Sequence, residues 1–392
     1  MSNLKVVRAT ENINQDSRKY DVSDKLWLLD ADVAVLAFFA RKLAKKAVID
    51  PEFRWFEKSS PARYSTANYS TGYTAAETSV VVDDGTVYRI GMVVQNLTTG
   101  EQMYVSGVST NTLTLSRAWG TTSADAIADG AVLAIVGNAN AEGAATPASL
   151  TSLPVKKTNY CQIFRESIEV TNTEKSTELY AGGSDLNQLR KEHLDLHMKD
   201  IERAFLFGEP KEDVSIVGTN GPMRSTGGAK YFLSTNVSDV STSTGILTNA
   251  IFETFVRGVF AKGGQKKMAL VSPLIASAIN SWAAGKLIQY PKDKTFGIAI
   301  TQYLSIHGAL DFTIERLFAE NSTWGGMGFA FDMANLGYRY LAANGENRDT
   351  KLLKDQQSKG YDKTVDEYLS EIGLFLADEA SHGLIKGVTS YT

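Results

Sequence analysis

The sequence predicts an α+β protein, on three observations. One long amphipathic helical segment spans 185–207, and a block of short strands at 78–136 has almost no helical pattern. Strand-rich segments then return at the C-terminus without the alternating βαβ rhythm of a parallel sheet. At 392 residues the chain is long enough for a large buried core and two or three structural units. Hydrophobic residues at 43% and charged residues at 21% describe a folded protein rather than a disordered or fibrous one. The net charge of −4 argues against a chain that coats itself with nucleic acid. The single cysteine, Cys161, excludes an internal disulfide, and its strand-like setting marks a small buried hydrophobe rather than a nucleophile.

Taken in order, residues 1–22 are polar and aperiodic, as in an extended arm. Asp24, Asp30 and Asp32 precede an apolar stretch that ends in "RKLAKK" (41–46). Acid first and base last suits the helix macrodipole, which predicts a helix over 24–48 stopped before Pro51. Its end, Arg41, Lys42, Lys45 and Lys46, reads as a solvated basic cluster, with contact to phosphate as the alternative. The apolar run "VAVLAFFA" (33–40) is only about a third of a membrane span, and it follows acidic residues, the reverse of a secretion leader.

"PEFRWFEKSSPARYSTANYSTGYTA" (51–75) begins as a strand and continues as a Ser/Thr/Tyr-rich tether. "TSVVVDD", "MVVQNL", "EQMYVSGV", "NTLTLSRA" and "AVLAIVG" are β-runs divided by turn signals such as "DDG", "TTG" and "STN". A second tether (138–154) leads into the strand "TNYCQIFRESIEVTNT" (158–173). The two flanking strands are expected to pair as a long hairpin carrying the β-domain at its tip, where insertions are tolerated.

The helix at 185–207 opens with Asp185 and Gln188, a capping-box pattern, and stops at Gly208 and Pro210. "GTNGPMRSTGGAKYFL" (218–233) follows as a glycine-punctuated loop and short strand. A helix at about 247–262 closes on Gly263-Gly264, then come the strand "KKMALVS" and a helix from Pro273 to Gly285. "TFGIAITQYLSIHGALDFTIERLFA", "GFAFDMANLGYRYLA" and "KTVDEYLSEIGLFLA" supply the remaining strands.

The chemical question sits in "KEHLDLHMKDIERAFLFG" (191–208), where His193 and His197 stand four residues apart. On a helical wheel Leu186, Leu189, His193, His197, Ile201 and Ala204 share one stripe, widened by Leu194, Met198 and Phe205. Asp195 points away from it and cannot be a third ligand. Leu194 stands where a metalloprotease helix needs glutamate, and His307 and His382 belong to no ligand-like cluster. The pair therefore reads as packing histidines rather than zinc ligands. There is no Walker loop, nucleophile elbow or helix-opening glycine fingerprint, and "GGMGFA" (325–330) reads as a turn into a strand. No catalytic, cofactor-binding or metal residue is assigned, so no enzyme is expected.

"NYCQIFRESIEVTNT", then "DLNQLRKEHLDLHMKDIERAFLFG", then "GPMRSTGGAKYFL" resembles a family of phage major head proteins, the tailed-bacteriophage major capsid proteins of the Hong-Kong-97-like fold. The β-insertion resembles one carried at the E-loop, and "VDEYLSEIGLFLADEASHGLIKGV" resembles the closing peripheral-domain strand and tail. The resemblance covers about 50–392 and implies five parts. They are an N-terminal arm and helix (1–50), an E-loop hairpin with tethers (51–76 and 138–173), and an inserted β-domain (77–137). A P-domain (174–243 and 330–392) holds the spine helix, and an A-domain (244–329) completes the chain.

The implied function is a structural shell subunit that assembles as hexamers and pentamers into an icosahedral or prolate head around double-stranded DNA. The alternatives are a β-rich phage decoration or surface-binding protein, and a nanocompartment shell of the same fold. Exposed hairpin edges invite pairing with another subunit. That makes Arg54, Glu57, Arg63, Arg165, Glu166 and Glu169 candidate inter-subunit contacts. The implied partners are other copies of the chain, with scaffold, portal and cement proteins. DNA is touched weakly and non-specifically, and no membrane is involved. The expected location is the virion, after assembly in the host cytoplasm.

Overall fold

The computed structural model describes residues 45–177, 185–213, 221–282, 287–289 and 301–392. The chain is α+β and divides into two compact units, Phe56–Lys156 and the remainder. The first ten strands are β1 (Lys45–Val48), β2 (Glu52–Glu57), β3 (Tyr64–Thr66), β4 (Ser79–Val81) and β5 (Met92–Asn96). They continue as β6 (Gln102–Ser109), β7 (Thr112–Ser116), β8 (Val132–Asn138), β9 (Val155–Tyr160) and β10 (Gln162–Thr171).

The smaller unit is built on the order β3-β8-β5-β6-β7-β4. A backbone bridge between Ala67 and Val82 brings the two ends together, so the six strands close into a small barrel with no free edge. Period-two alternation fills its interior with Val80, Val94, Met103, Val105, Leu113, Leu115 and Leu133. The stretch expected to be a tether up to residue 75, ahead of a domain beginning at 77, is part of this barrel. Tyr64–Thr66 is a strand and Tyr73 lies in the core. Alternation of hydroxyl side chains gives no hydropathy signal. The strand is fixed instead by the buried Tyr88 hydroxyl, which accepts the Ser65 N–H (2.9 Å) and donates to the Leu133 carbonyl (2.6 Å). Burial pushes the Tyr88 phenol up to about 12.

The larger unit contains two principal sheets. The first runs β1, Leu336–Ala343, Lys363–Leu376, β10. The second has seven strands, in the order Val237–Asp239, Gly383–Lys386, Gly328–Phe331, Lys266–Val271, Gly308–Ile314, Thr301–Ser305 and Leu287–Gln289. Helices Asn249–Val259 and Pro273–Trp282 bury Phe252, Phe255, Val256, Ile275 and Ile279 in a core shared with this second sheet. Its membership departs from the block boundaries expected at 243 and 330. Val237–Asp239 and Gly383–Lys386, at the ends of the flanking segments, pair in parallel and complete it.

Two other local expectations are corrected. Residues 24–44 of the expected first helix lie outside the described residues, and 45–48 is a strand paired in parallel with Tyr338–Leu341. A backbone ladder and a Lys45–Asp349 contact (3.4 Å) outweigh the weak helical preference of four residues ahead of Pro51. The strand expected at 158–173 breaks at Cys161. β9 pairs with β2, whereas β10 runs antiparallel to the C-terminal strand over ten residue pairs, Gln162↔Ile372 to Thr171↔Lys363. The long helix spans Asp185–Phe207 as expected, and within it Gln188 donates to Glu192 Oε1 (2.9 Å).

Candidate assembly surfaces

The long helix packs on β10 and the C-terminal strand Lys363–Leu376. Its C-terminal half is held by fully buried Ile201, Phe205 and Leu206. Its N-terminal half is held by polar contacts. Arg190 Nε donates to Asp366 Oδ2 (2.8 Å), and the Tyr368 hydroxyl donates to the Arg190 carbonyl (3.0 Å). His193 Nδ1 lies 2.7 Å from Glu166 Oε1. His197 is buried, with Nε2 2.7 Å from Ser370 Oγ, which in turn contacts Thr350 Oγ1 (2.7 Å). Both histidines thus fasten the helix to its own sheet, and the exposed Asp195 faces away. Among the described residues no group of three or more His, Cys, Asp or Glu is gathered in metal-ligand fashion.

Strand alternation sends Arg165 and Glu169 to the opposite face of β10. There Arg165 makes a two-pronged pair with Glu367, and Lys363 meets Glu169 at 2.6 Å. Hydrogen bonds from Arg165 hold the Glu367 carboxyl below its ordinary range, against the opposing effect of partial burial. Arg165, Glu166 and Glu169, three of the six expected contacts, therefore have partners in their own chain, and so does Arg54. Of the other three, Arg54 and Glu57 lie on β2 and Arg63 directly precedes β3. Arg54 pairs with Glu52 on the same strand (2.7 Å), Glu57 ends it, and Arg63 is exposed ahead of β3. Around these positions the chain exposes large apolar side chains: Phe56 (69%), Leu153 (80%) and Val155 (60%).

Sequence reasoning missed a polar knot that joins two of its quoted motifs. The buried Asn159 donates to the carbonyls of Gly227 (3.0 Å) and Leu374 (2.7 Å) and accepts the Gly227 N–H (2.6 Å). Gln162 Oε1 accepts the Thr226 N–H, and Thr226 Oγ1 accepts the Leu374 N–H. Gly228 lies so close to the end of the long helix that a Cβ would sit 2.7 Å from the Ala204 carbonyl and 2.8 Å from the Gly208 nitrogen. The one visible signal was the adjacency of threonine and two glycines. A second buried device ties the C-terminal segment to the seven-stranded sheet. Lys267 Nζ donates to the carbonyls of Val259, Lys262 and Ser381. Beside it His382 receives the Asp332 N–H at Nδ1 (3.2 Å), and burial pulls its imidazole down to about 4.

Solved structures share this architecture. The capsid of a native GTA particle matches with a TM-score of 0.50 at 11% identity, over 97% of this chain and 99% of that one. A chain of Mycobacterium phage Ogopogo matches with a TM-score of 0.51 at 10% identity, again over 97% and 99%. At such identities the likeness is one of fold, and the fold is that of the Hong-Kong-97-like phage capsids. The chain belongs to the SU10 major capsid protein family, whose model matches residues 7–389. It is 24% identical over 307 residues to the major capsid protein of Pseudomonas phage PaMx41, covering 75% of this chain and 71% of that one. It is a structural capsid protein of a phage, which places it in the virion.

Proposed function

We propose that the chain assembles as hexamers and pentamers into a closed head enclosing double-stranded DNA, after synthesis in the host cytoplasm. The family match from residue 7 to residue 389 carries this reading. A two-stranded ribbon such as β2–β9 is marginal alone, and exposed Phe56 and Val155 on it call for a covering surface. In this reading the ribbon is the E-loop, and Arg54, Glu57 and Arg63 meet a neighbouring subunit. Arg165, Glu166 and Glu169 act within the subunit instead. The first sheet with the long helix forms the P-domain. The seven-stranded sheet forms the A-domain and includes 237–239 and 383–386. Scaffold, portal and cement proteins are further partners, and the negative charge keeps DNA contact weak.

Phe56→Asp tests the ribbon, since an exposed side chain costs the fold little. The variant is expected to remain folded by circular dichroism and to lose capsomers on sizing chromatography. Capsomers formed as readily as by the wild-type chain contradict the assignment.

A further inference from the structure

The barrel holds one exposed aromatic pair in a costly setting. Tyr104 and Trp119 are stacked, with ring centroids 4.6 Å apart and planes inclined by 25°, and Trp119 is 48% exposed. Trp119 follows Ala118, which adopts φ +51°, a left-handed conformation that is strained for a residue with a side chain. The loop is clamped by a buried ion pair: Arg117 Nε and Nη2 meet Glu101 at 2.9 and 2.7 Å, with side-chain exposures of 6% and 0%. Arg117 also donates to the carbonyls of Thr74, Glu77 and Asp125. Glu101 accepts the N–H groups of Ala118 (3.1 Å) and Asp125 (3.2 Å). The Trp119 N–H donates to the Gln102 carbonyl (2.9 Å). A desolvated ion pair and a strained backbone thus fix an aromatic side chain that core packing does not use.

The surroundings specify the chemistry. The outward positions of β5, β6 and β7 next to this pair are Val93, which lies directly across from Tyr104, and Gln95, Gln102, Ser106, Thr114 and Ser116. The loop adds Thr121, Thr122 and Ser123, all exposed. None of these side chains is charged; Arg117, the cation in the loop, is buried and paired, and the charged group the loop exposes is the carboxylate of Asp125. A phosphate-bearing polymer has no counter-charge here. The exposed indole of Trp119, backed by the stacked Tyr104 ring and neighboured by hydroxyls and carboxamides, instead suits a neutral ligand with one apolar C–H face and a rim of hydroxyl groups.

We propose that Tyr104 and Trp119 form a binding platform for a neutral carbohydrate, the ring face of a pyranose lying on the aromatic pair.

The test uses the full-length chain, unassembled and as particles, depleted from solution by beads coated with amylose, dextran, cellulose or chitin. Heparin and DNA beads are the charged comparison. Retention is expected on at least one neutral polysaccharide, to persist in 0.5 M NaCl, and to be reversed by the matching free oligosaccharide. Trp119→Ala is expected to weaken it at least tenfold and Trp119→Phe less than threefold, with unchanged circular dichroism. Absence of retention on all four neutral polysaccharides overturns the proposal. So does retention insensitive to Trp119→Ala, or salt-sensitive retention on heparin and DNA alone.

Discussion

The carboxamide of Asn159 brackets the peptide unit of Gly227, donating to its carbonyl at 3.0 Å and accepting its N–H at 2.6 Å. A third bond from Asn159 reaches the Leu374 carbonyl (2.7 Å). One side chain thus joins β9, the loop after the long helix, and the C-terminal strand. Asn159→Ala leaves three buried backbone groups without this partner, each worth about 1–3 kcal/mol. Urea unfolding of unassembled subunits is expected to show a loss of about 3 kcal/mol or more. Asn159→Asp restores only the acceptor and is expected to be no better.

Gly228→Ala places a methyl group against backbone at the end of the long helix, within 2.9 Å of the Ala204, Gly208 and Leu206 main chain. Backbone on both sides cannot give way as a flexible side chain does. The expected outcome is insoluble protein or a loss of about 3 kcal/mol or more. Gly137→Ala, where nothing lies within 4 Å of the added Cβ, is the control and is expected to fold normally. Solubility and thermal melting check both.

The two kinds of ion pair should separate in a denaturation series. Glu101 is fully buried: burial pushes its carboxyl up, and bonds from Arg117, Ala118 and Asp125 more than offset this, leaving it below its ordinary range. Glu101→Ala strands the Arg117 guanidinium and is expected to cost about 3–5 kcal/mol. Arg165 is two-thirds exposed in its pair with Glu367, and Arg165→Ala is expected to cost under about 1 kcal/mol. The measurement is the shift of the urea midpoint at constant slope.

Stability is expected to fall on mild acidification because of His382. Its imidazole titrates at about 4 in the fold, below the unfolded value of about 6.5, so the unfolded chain takes up the proton first. The neutral ring's contribution is fully present above pH 6.5 and lost as pH falls towards 4, by about 3 kcal/mol at most. Urea midpoints between pH 8 and 4 are expected to show this slope in the wild-type chain. The slope is expected to flatten in His382→Gln.

What was legible in the sequence was whatever left a periodic trace. The long helix is found at the expected residues 185–207 because Ile201, Phe205 and His197 recur on one face and Gly208 ends it. The barrel strands β4 to β8 were legible from alternation, but closure was not, since a single bridge between Ala67 and Val82 makes it. The partner of β10 was misread because pairing between residues some 200 positions apart leaves no local pattern. That pairing also gives Arg165 and Glu169 partners within the chain, which sequence alone did not show. Asn159, Lys267 and His382 were invisible for the same reason: each is buried by segments distant in the chain.

Electron microscopy of the purified full-length chain tests the central claim most directly. Closed shells, or rings of five and six copies of the 42.6 kDa chain, are expected, with Phe56→Asp abolishing them while the subunit stays folded. A wild-type chain that remains monomeric at every concentration and salt, alone and together with the other head proteins, would contradict it.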